Sequence, residues 1–566
     1  DLIMKYSEII KLNNLLEGQM NGGEYNITIL SNIMIHQSKD ICEYLLRTES
    51  LNTKVSLGEY DNIVQDSVKF QDANSIVIFW EVCNFVNGLQ FKVELFSDQE
   101  FEDLVGKIKL EIDIVLTNLK DTPVIVINKF SSLIFNQFNL SNGKLHELTR
   151  VLNSYLKANI GKNVNIVNID SVISRLSVDV ATDLRYYYSS KTLYSVEFYK
   201  AYFDYIKPIF LAVTGKTKKA LIFDCDNTLW KGTLGEDGFD GIKIFQEIQY
   251  LALQLSKKGV IIGLCSKNNP EDVDHVLESH PDMVLRNSDI VIKKVNWDNK
   301  ISNLQSIAKD LNIGIDSLVF IDDSSFEVEL VKKELPDVKV FQASPKEYEY
   351  GLMMRRVSNL FYNPFKTKED DIKTQMYKDQ VKRSDEREGV ANIEDYLASL
   401  GIFITVHVDN LSQVSRVSQL TQKTNQFNLT TKRYSESEIK NFILNSDKTV
   451  ISIEVEDKYG SSGLTGVVIL CKKTSKIDTL LLSCRVLGRN VEFKLIDAII
   501  NIAKKHEITL LNSEYLKTPK NQQVRKFYNR CGFNVLNETD GSTKYSLEVN
   551  NYKARDINYI RIKDER

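Results

Sequence analysis

Two aspartates one residue apart, Asp224 and Asp226, follow the apolar run Ala220, Leu221, Ile222, Phe223. The run reads as a buried parallel strand that delivers both carboxylates into a polar turn. One carboxylate can attack phosphorus and the other can protonate a leaving oxygen, while a hard cation is held on carboxylate oxygens between them. The chemistry suggested is phosphoryl transfer, which further requires positive groups where the equatorial oxygens gather charge.

Those groups arrive in order. Residues 259–266 (GVIIGLCS) form a second apolar strand ending in Ser266, followed by Lys267, Asn268, Asn269 and the helix-initiating Pro270. Ser266 and nearby backbone N–H groups suit a phosphate oxygen, with Thr228, Lys267 and Asn268 as further substrate contacts. Residues 296–300 (NWDNK) open a helix at Lys300, a cation for the phosphate and the nucleophile, and residues 317–323 (SLVFIDD) end in Asp322 and Asp323. Asp224, Asp226 and Asp322 are the expected Mg2+ ligands, and Asp323 can orient water or complete the outer shell. Singly, each residue has a plain reading as a turn cap, a helix N-cap or a solvated lysine. The four segments in this order do not.

Together these segments resemble the four motifs of the haloacid dehalogenase (HAD) superfamily. The intervals Asp224 to Ser266 and Ser266 to Lys300 leave no room for a large cap, so an open site is expected, with residues 230–238 (WKGTLGEDG) as a small glycine-rich flap. The stretches DCDNTLWKGTLGEDG, LCSKNNPEDV, NWDNKISNLQSIAKDLNIG and DSLVFIDDSSFEVE are more specifically similar to the FkbH family, HAD subfamily IIIC proteins of polyketide and related biosynthesis. The likeness covers nearly the whole chain. It departs at Ser324 and Ser325, where Asn-Pro is usual, and at Val328, which replaces an arginine. It implies that the glyceryl unit of 1,3-bisphosphoglycerate loses phosphate and passes as a thioester to an acyl carrier protein.

The elements that position these residues belong to a long chain. At 566 residues it exceeds one hydrophobic core and reads as several domains. With 72 basic against 76 acidic side chains, no overall excess points to nucleic acid or an acidic membrane. Seven scattered cysteines without metal-ligand spacing fit reduced thiols in a cytoplasmic protein, and no apolar stretch is long enough to span a bilayer.

Residues 1–212 alternate short apolar runs (26–32, 75–80, 123–128, 164–169) with helical stretches (101–119, 144–158), predicting βαβ units and a parallel sheet. Ser31, Asn32 and Asn84 at strand ends resemble an SGNH-hydrolase arrangement, but residues 183–195 hold no histidine to activate a serine. A degenerate domain is expected there, with residues 213–365 as the HAD-like domain. Residues 366–395 are charge-rich and read as an exposed linker helix.

Residues 396–550 form the last domain, before a polar tail at 551–566. Strands are expected at 402–408, 463–470 and 479–483, then Cys484 to Glu492 (CRVLGRNVE) opening an amphipathic helix over 493–505. A strand running through Arg-x-x-Gly into a helix N-terminus resembles the pyrophosphate turn of GNAT acyltransferases. That resemblance implies Arg485, Gly488 and Arg489 beside the phosphates, and Asn521 and Tyr528 beside the pantetheine arm. Arg489 and Asn490 stand where small residues are usual, so the module suits a carrier's phosphopantetheine better than acetyl-CoA. Residues 420–434 (LTQKTNQFNLTTKRY) resemble a family hallmark; Asn425, Gln426, Asn428 and Arg433 either bind polar groups of substrate or carrier, or bond their own loop. Exchange between thiols calls for a thiol nucleophile. Cys484, beside Arg485, is the first choice, ahead of Cys265 and Cys225, which strand alternation can turn into the core.

The fold class expected is therefore multidomain α/β: a degenerate SGNH-like domain, a capless HAD Rossmann-like domain and a GNAT-like α+β domain. The function expected is Mg2+-dependent dephosphorylation of a phosphorylated glycerate with glyceryl transfer to the phosphopantetheine of an acyl carrier protein. The alternatives are a stand-alone phosphatase acting on a sugar phosphate or polysaccharide precursor, and a non-catalytic scaffold that docks carrier proteins.

Overall fold

A computed structural model describes residues 4–20, 23–135, 143–363, 368–388, 392–445 and 447–565. It divides into two compact units, residues 1–210 and 211–566. No helix among the described residues is long and apolar enough to cross a membrane.

The first unit holds β1 (Tyr25–Ser31), β2 (Thr53–Leu57), β3 (Ser75–Phe79), β4 (Val124–Asn128) and β5 (Val164–Val167). They pair in parallel in the order β2-β1-β3-β4-β5, with helices such as Asp98–Asn118 and Lys144–Asn159 as crossovers. β3 and β4 are buried along their whole length, so each reads as an unbroken apolar run. At the strand ends, the Ser31 hydroxyl accepts the Ile33 N–H at 3.0 Å. Asn32 is latched to the Glu81 backbone in both directions, at 2.9 and 2.7 Å. Ser31 thus caps its own turn, and Asn32 ties the end of β1 to that of β3.

The second unit contains two sheets and a hairpin. β6 (Ala220–Phe223), β9 (Ile261–Ser266), β10 (Ile292–Val295), β11 (Leu318–Asp322) and β12 (Lys339–Gln342) form a parallel sheet in the order β10-β9-β6-β11-β12. Alternation splits the central strand between two cores: Leu221 and Phe223 pack on one face, Ala220 and Ile222 on the other. The apolar strands end together, which brings Asp224, Ser266 and Asp322 to one edge of the sheet. No cap intervenes; β7 (Trp230–Lys231) and β8 (Lys243–Ile244) form a two-residue hairpin around the short helix Leu234–Asp237.

The larger sheet runs β19-β20-β18-β17-β16-β15-β13-β21, with β14 attached to β17. Its strands are β13 (Phe403–Val408), β14 (Phe427–Asn428), β15 (Lys448–Asp457), β16 (Gly460–Cys471), β17 (Lys476–Leu482), β18 (Leu510–Leu516), β19 (Asn534–Glu538), β20 (Ser542–Glu548) and β21 (Arg561–Glu565). β17 and β18 are parallel and share only the register pair Lys476 with Asn512, so they diverge. The amphipathic helix Val491–Lys505 connects them and buries Leu495, Ile496, Ile499 and Ile502 against the sheet.

Two expectations are corrected. The linker helix, Lys368–Glu388, is docked and not exposed: Met376, Tyr377, Asp379 and Arg383 are buried. Its Arg383 makes a two-pronged ion pair with buried Asp457 at 2.7 and 2.8 Å, and Arg489 reaches the same carboxylate at 2.8 Å. Charged residues hide this role because the apolar positions are few and the charges are neutralised by partners far along the chain. The polar tail includes a strand, since β21 extends the sheet by parallel pairing with β13.

Candidate functional site

Lys300 opens the helix Lys300–Asp310, capped by Asn299, whose side chain accepts the Ser302 N–H. That start places the buried ammonium over the sheet edge, where Nζ donates to Asp224 Oδ1 at 2.9 Å and to Asp322 Oδ2. The Ser266 hydroxyl also bonds Asp224. The carboxylates of Asp224, Asp322 and Asp323 all lie within 4.8 Å of one another. Three acids against one lysine leave a deficit of two positive charges, and hard oxygen donors at this spacing fit Mg2+. Burial, with the charge of Asp322 added, pushes Asp224 up to about 7 although Lys300 pulls against it, and burial with Asp322 likewise raises Asp323.

Asp226 departs from the expected ligand set. One carboxylate oxygen accepts Trp230 Nε1 at 2.9 Å and the Leu234 N–H at 3.0 Å, and the other accepts Asn268 Nδ2 at 3.0 Å. Its side chain faces the flap, so the carboxylate trio is completed by Asp323 in its place. Thr228 is fully buried behind the same turn, and its carbonyl accepts the Tyr350 hydroxyl at 2.8 Å. Lys267 is paired with Glu327 at 2.6 Å. Glu327, an unremarked helix residue in the sequence, thus sets the direction of this cation.

The remaining sequence candidates separate into three groups. Asn425, Gln426, Cys484 and Arg485 line a cavity at the opposite end of the small sheet, beside Lys219 and Gly259. Gly488 and Arg489 lie on a turn that the linker helix covers: Arg489 is spent on Asp457, and Arg387 approaches Gly488. Asn428, Asn521 and Tyr528 are enclosed. Asn428 accepts the Thr431 N–H at 2.8 Å, while Asn521 donates to the carbonyls of Asn428 and Leu516. Arg433 donates to the carbonyl oxygens of Thr421 and Gln422 and to Asn425. For Asn428 and Arg433 the loop therefore bonds itself.

The wedge between β17 and β18 explains much of this. Residues 427–429 lie between the diverging strands: Phe427 and Asn428 pair with Leu482 and Leu481, the Leu429 N–H reaches the Leu480 carbonyl, and the Leu516 N–H reaches that of Leu429. The space beside β17 is filled by the chain itself. Of the three thiols considered, Cys225 and Cys265 are fully buried and burial raises both, Cys265 to about 12, whereas Cys484 is half-buried at the cavity wall.

The fold and the acid cluster together define a two-unit α/β protein carrying a capless HAD-like domain. Among solved structures, the chain is similar to the N-terminal part of the protein BF1531 from Bacteroides fragilis, which contains a phosphatase domain and was crystallised with Mg. The likeness has a TM-score of 0.55 at 23% identity, covering 64% of this chain and 100% of that one; it shows the fold. Shorter similarities reach the ribosomal-protein-S18-alanine N-acetyltransferase of Escherichia coli (13% identity, 27% of this chain and 97% of that one, TM-score 0.21) and a spermidine N-acetyltransferase of Vibrio cholerae (14%, 27% and 98%, TM-score 0.22). The GNAT-like topology of the last domain is read from its own strand order, with diverging parallel strands joined by a helix. No family model and no curated protein matches the chain.

Proposed function

We propose that the chain is a cytoplasmic Mg2+-dependent phosphatase of the HAD type that works on a phosphorylated glycerate and conveys the glyceryl unit to a carrier protein's phosphopantetheine. The observation that carries the phosphatase reading is the cluster of buried Asp224, Lys300 and Asp322 with half-buried Asp323, two positive charges short. Asp224, Asp322 and Asp323 would hold Mg2+, which supplies Lewis-acid neutralisation of phosphate charge. Asp224 attacks phosphorus and forms a phosphoaspartate as the ester oxygen leaves. Asp226 gives that oxygen a proton and later takes one from the hydrolytic water; its hydrogen bonds to Trp230 and Leu234 tie it to the flap that borders the site. Lys300 holds the attacking carboxylate, and Ser266 and Asn268 face the phosphate oxygens.

The transfer reading rests on Cys484. Its thiolate attacks the carbonyl carbon of an acyl phosphate; a C–S bond forms, the C–O bond breaks, and phosphate departs with the electron pair. A carrier thiol then displaces Cys484 and takes the acyl group. The plain phosphatase reading is favoured by the filled β17–β18 wedge, which leaves no strand-lined groove for a pantetheine arm.

Intact mass spectrometry separates the two. The protein is incubated with Mg2+, 1,3-bisphosphoglycerate and a phosphopantetheinylated carrier. Phosphoglyceryl or glyceryl adducts on enzyme and carrier, with the enzyme adduct lost in Cys484→Ala, are the expected result. Phosphate release without any adduct establishes the plain phosphatase, and no turnover leaves the scaffold.

A further inference from the structure

The cavity that Cys484 borders lies where the strands of the small sheet begin, across the sheet from Asp224. Its walls come from residues 215–219, the linker helix, residues 416–427 and the end of β17. Nine lysines and arginines line it against two aspartates, in a protein whose net charge is -4. Its volume of about 110 Å³ exceeds that of a single water several-fold.

Both acids of the wall are committed. Asp370 accepts Gln419 Nε2 at 3.0 Å, and Asp316 is paired with Lys520. Lys373 and Lys423 have no ion-pair partner among the described residues. Burial depresses Lys373 to about 8, with Arg485, Lys219 and Arg416 adding repulsion and Asp370 opposing. Burial and then Lys373 depress Lys423 to about 7, with Arg416 and Lys219 adding and Asp370 opposing. Two half-buried lysines without an ion-pair partner among the described residues, in a wall of nine cations and two aspartates, make a positive concavity that an anion would relieve. A recess of this size, partly open to solvent, suits a small anionic molecule. At the wall, Tyr377 hydrogen-bonds the Cys484 side chain, and the Asn312 amide donates to the Cys484 carbonyl, which fixes the thiol's turn.

We propose that this cavity is a second anion site, separate from the Asp224 cluster, that holds the phosphates of a small polyphosphorylated molecule on Lys373, Lys423 and Arg416 beside the Cys484 thiol. The placement of a reactive carbon at Cys484 rests on the transfer reading above; the anion binding does not.

The test uses the full chain in EDTA, which disables any divalent-cation site. The rate of Cys484 alkylation by N-ethylmaleimide is read by peptide mass mapping against added 2,3-bisphosphoglycerate, a stable polyanion with no acyl phosphate. Protection of at least fivefold in wild type and in Asp224→Asn is expected, with loss of protection in Lys373→Met/Lys423→Met. Equilibrium dialysis of the same probe on wild type gives a second measurement should the double variant fold poorly, and saturable binding that Asp224→Asn retains is expected. Absence of saturable binding, binding that Asp224→Asn abolishes, or protection that persists in a folded double variant overturns the proposal. If the site binds and protects but no phosphoglyceryl or glyceryl adduct forms with 1,3-bisphosphoglycerate, the transfer reading fails and the anion site stands.

Discussion

Asp224 and Cys484 stand at opposite ends of one strand's span: Asp224 leaves the end of β6, whereas Cys484 shares a cavity wall with Lys219, which begins it. Five residues of extended chain separate those ends, roughly 16 Å. A small substrate cannot touch both groups at once. If both act, the acyl group is loaded at Cys484 and reaches Asp224 on a tethered arm, which the capless, open phosphatase edge admits.

Asp224→Asn is expected to reduce phosphate release to background, because the nucleophile is lost. The same change removes one charge from a cluster with excess acid, so the melting temperature without Mg2+ should hold or rise by a few degrees. A lowered melting temperature would count against the charge deficit described for this cluster.

Lys300→Met removes the one cation held between Asp224 and Asp322. Without divalent cation the cost should be about 3–5 kcal/mol in urea unfolding, as for other broken buried pairs. Added Mg2+ should recover about 2.7 kcal/mol at a hundredfold excess over its dissociation constant. Equal Mg2+ stabilisation of Lys300→Met and Lys300→Ala but none of Asp322→Asn would confirm that the carboxylates are the ligands.

Asp457→Asn leaves the buried guanidinium groups of Arg383 and Arg489 uncompensated. A loss of about 3–5 kcal/mol is expected, together with faster proteolysis within residues 368–388. Unchanged proteolysis would show that the linker helix is held by its apolar residues alone.

Gly215→Ala tests how closely the start of the HAD-like domain meets the 420–434 loop. Gly215 has φ +70°, and a Cβ there would overlap the Gln422 carbonyl oxygen. A destabilisation of about 2 kcal/mol or more is expected from backbone strain and the clash.

Anion binding at the second cavity should depend on pH in a defined direction. Lys423 and Lys373 titrate near 7 and 8 in the folded protein and near 10.5 when unfolded, so between those values the unfolded chain binds more protons and stability rises with pH. An anion prefers the protonated lysines, facing Arg416, Arg485, Lys219 and Asp370. Thermal stabilisation by sulfate, which stays dianionic throughout, should therefore be several times larger at pH 6.5 than at pH 9. Equal stabilisation at both values would show that the permanently charged arginines bind the anion alone.

The Asp224 site was legible because its residues follow short apolar strands, so one-dimensional order and the strand ends coincide. Asp224, Ser266, Lys300 and Asp322 meet as their spacing suggested. Asp323 stands in the acid cluster where Asp226 was expected, because side-chain direction in a turn depends on which N–H groups it finds, here those of Trp230 and Leu234. The second cavity was not legible. Lys373 sits in a helix read as solvated and Lys423 ends the helix Val414–Lys423, inside a stretch read only as polar, and only long-range packing sets them together. The run Lys216, Lys218, Lys219 was the one local hint.

The docking of the linker helix bears on how this protein can be taken apart. Tyr377 and Met376 bury their side chains, and Arg383 answers Asp457 across the two sheets. A nick between residues 368 and 388 would not release two independent modules. It would leave one fragment with a bared apolar stripe and the other with a buried aspartate short of one of its two guanidinium partners. Shuffling the HAD-like half onto a foreign acyl-transfer domain therefore requires carrying the helix and its receptor hairpin, β15 and β16, as a single cassette.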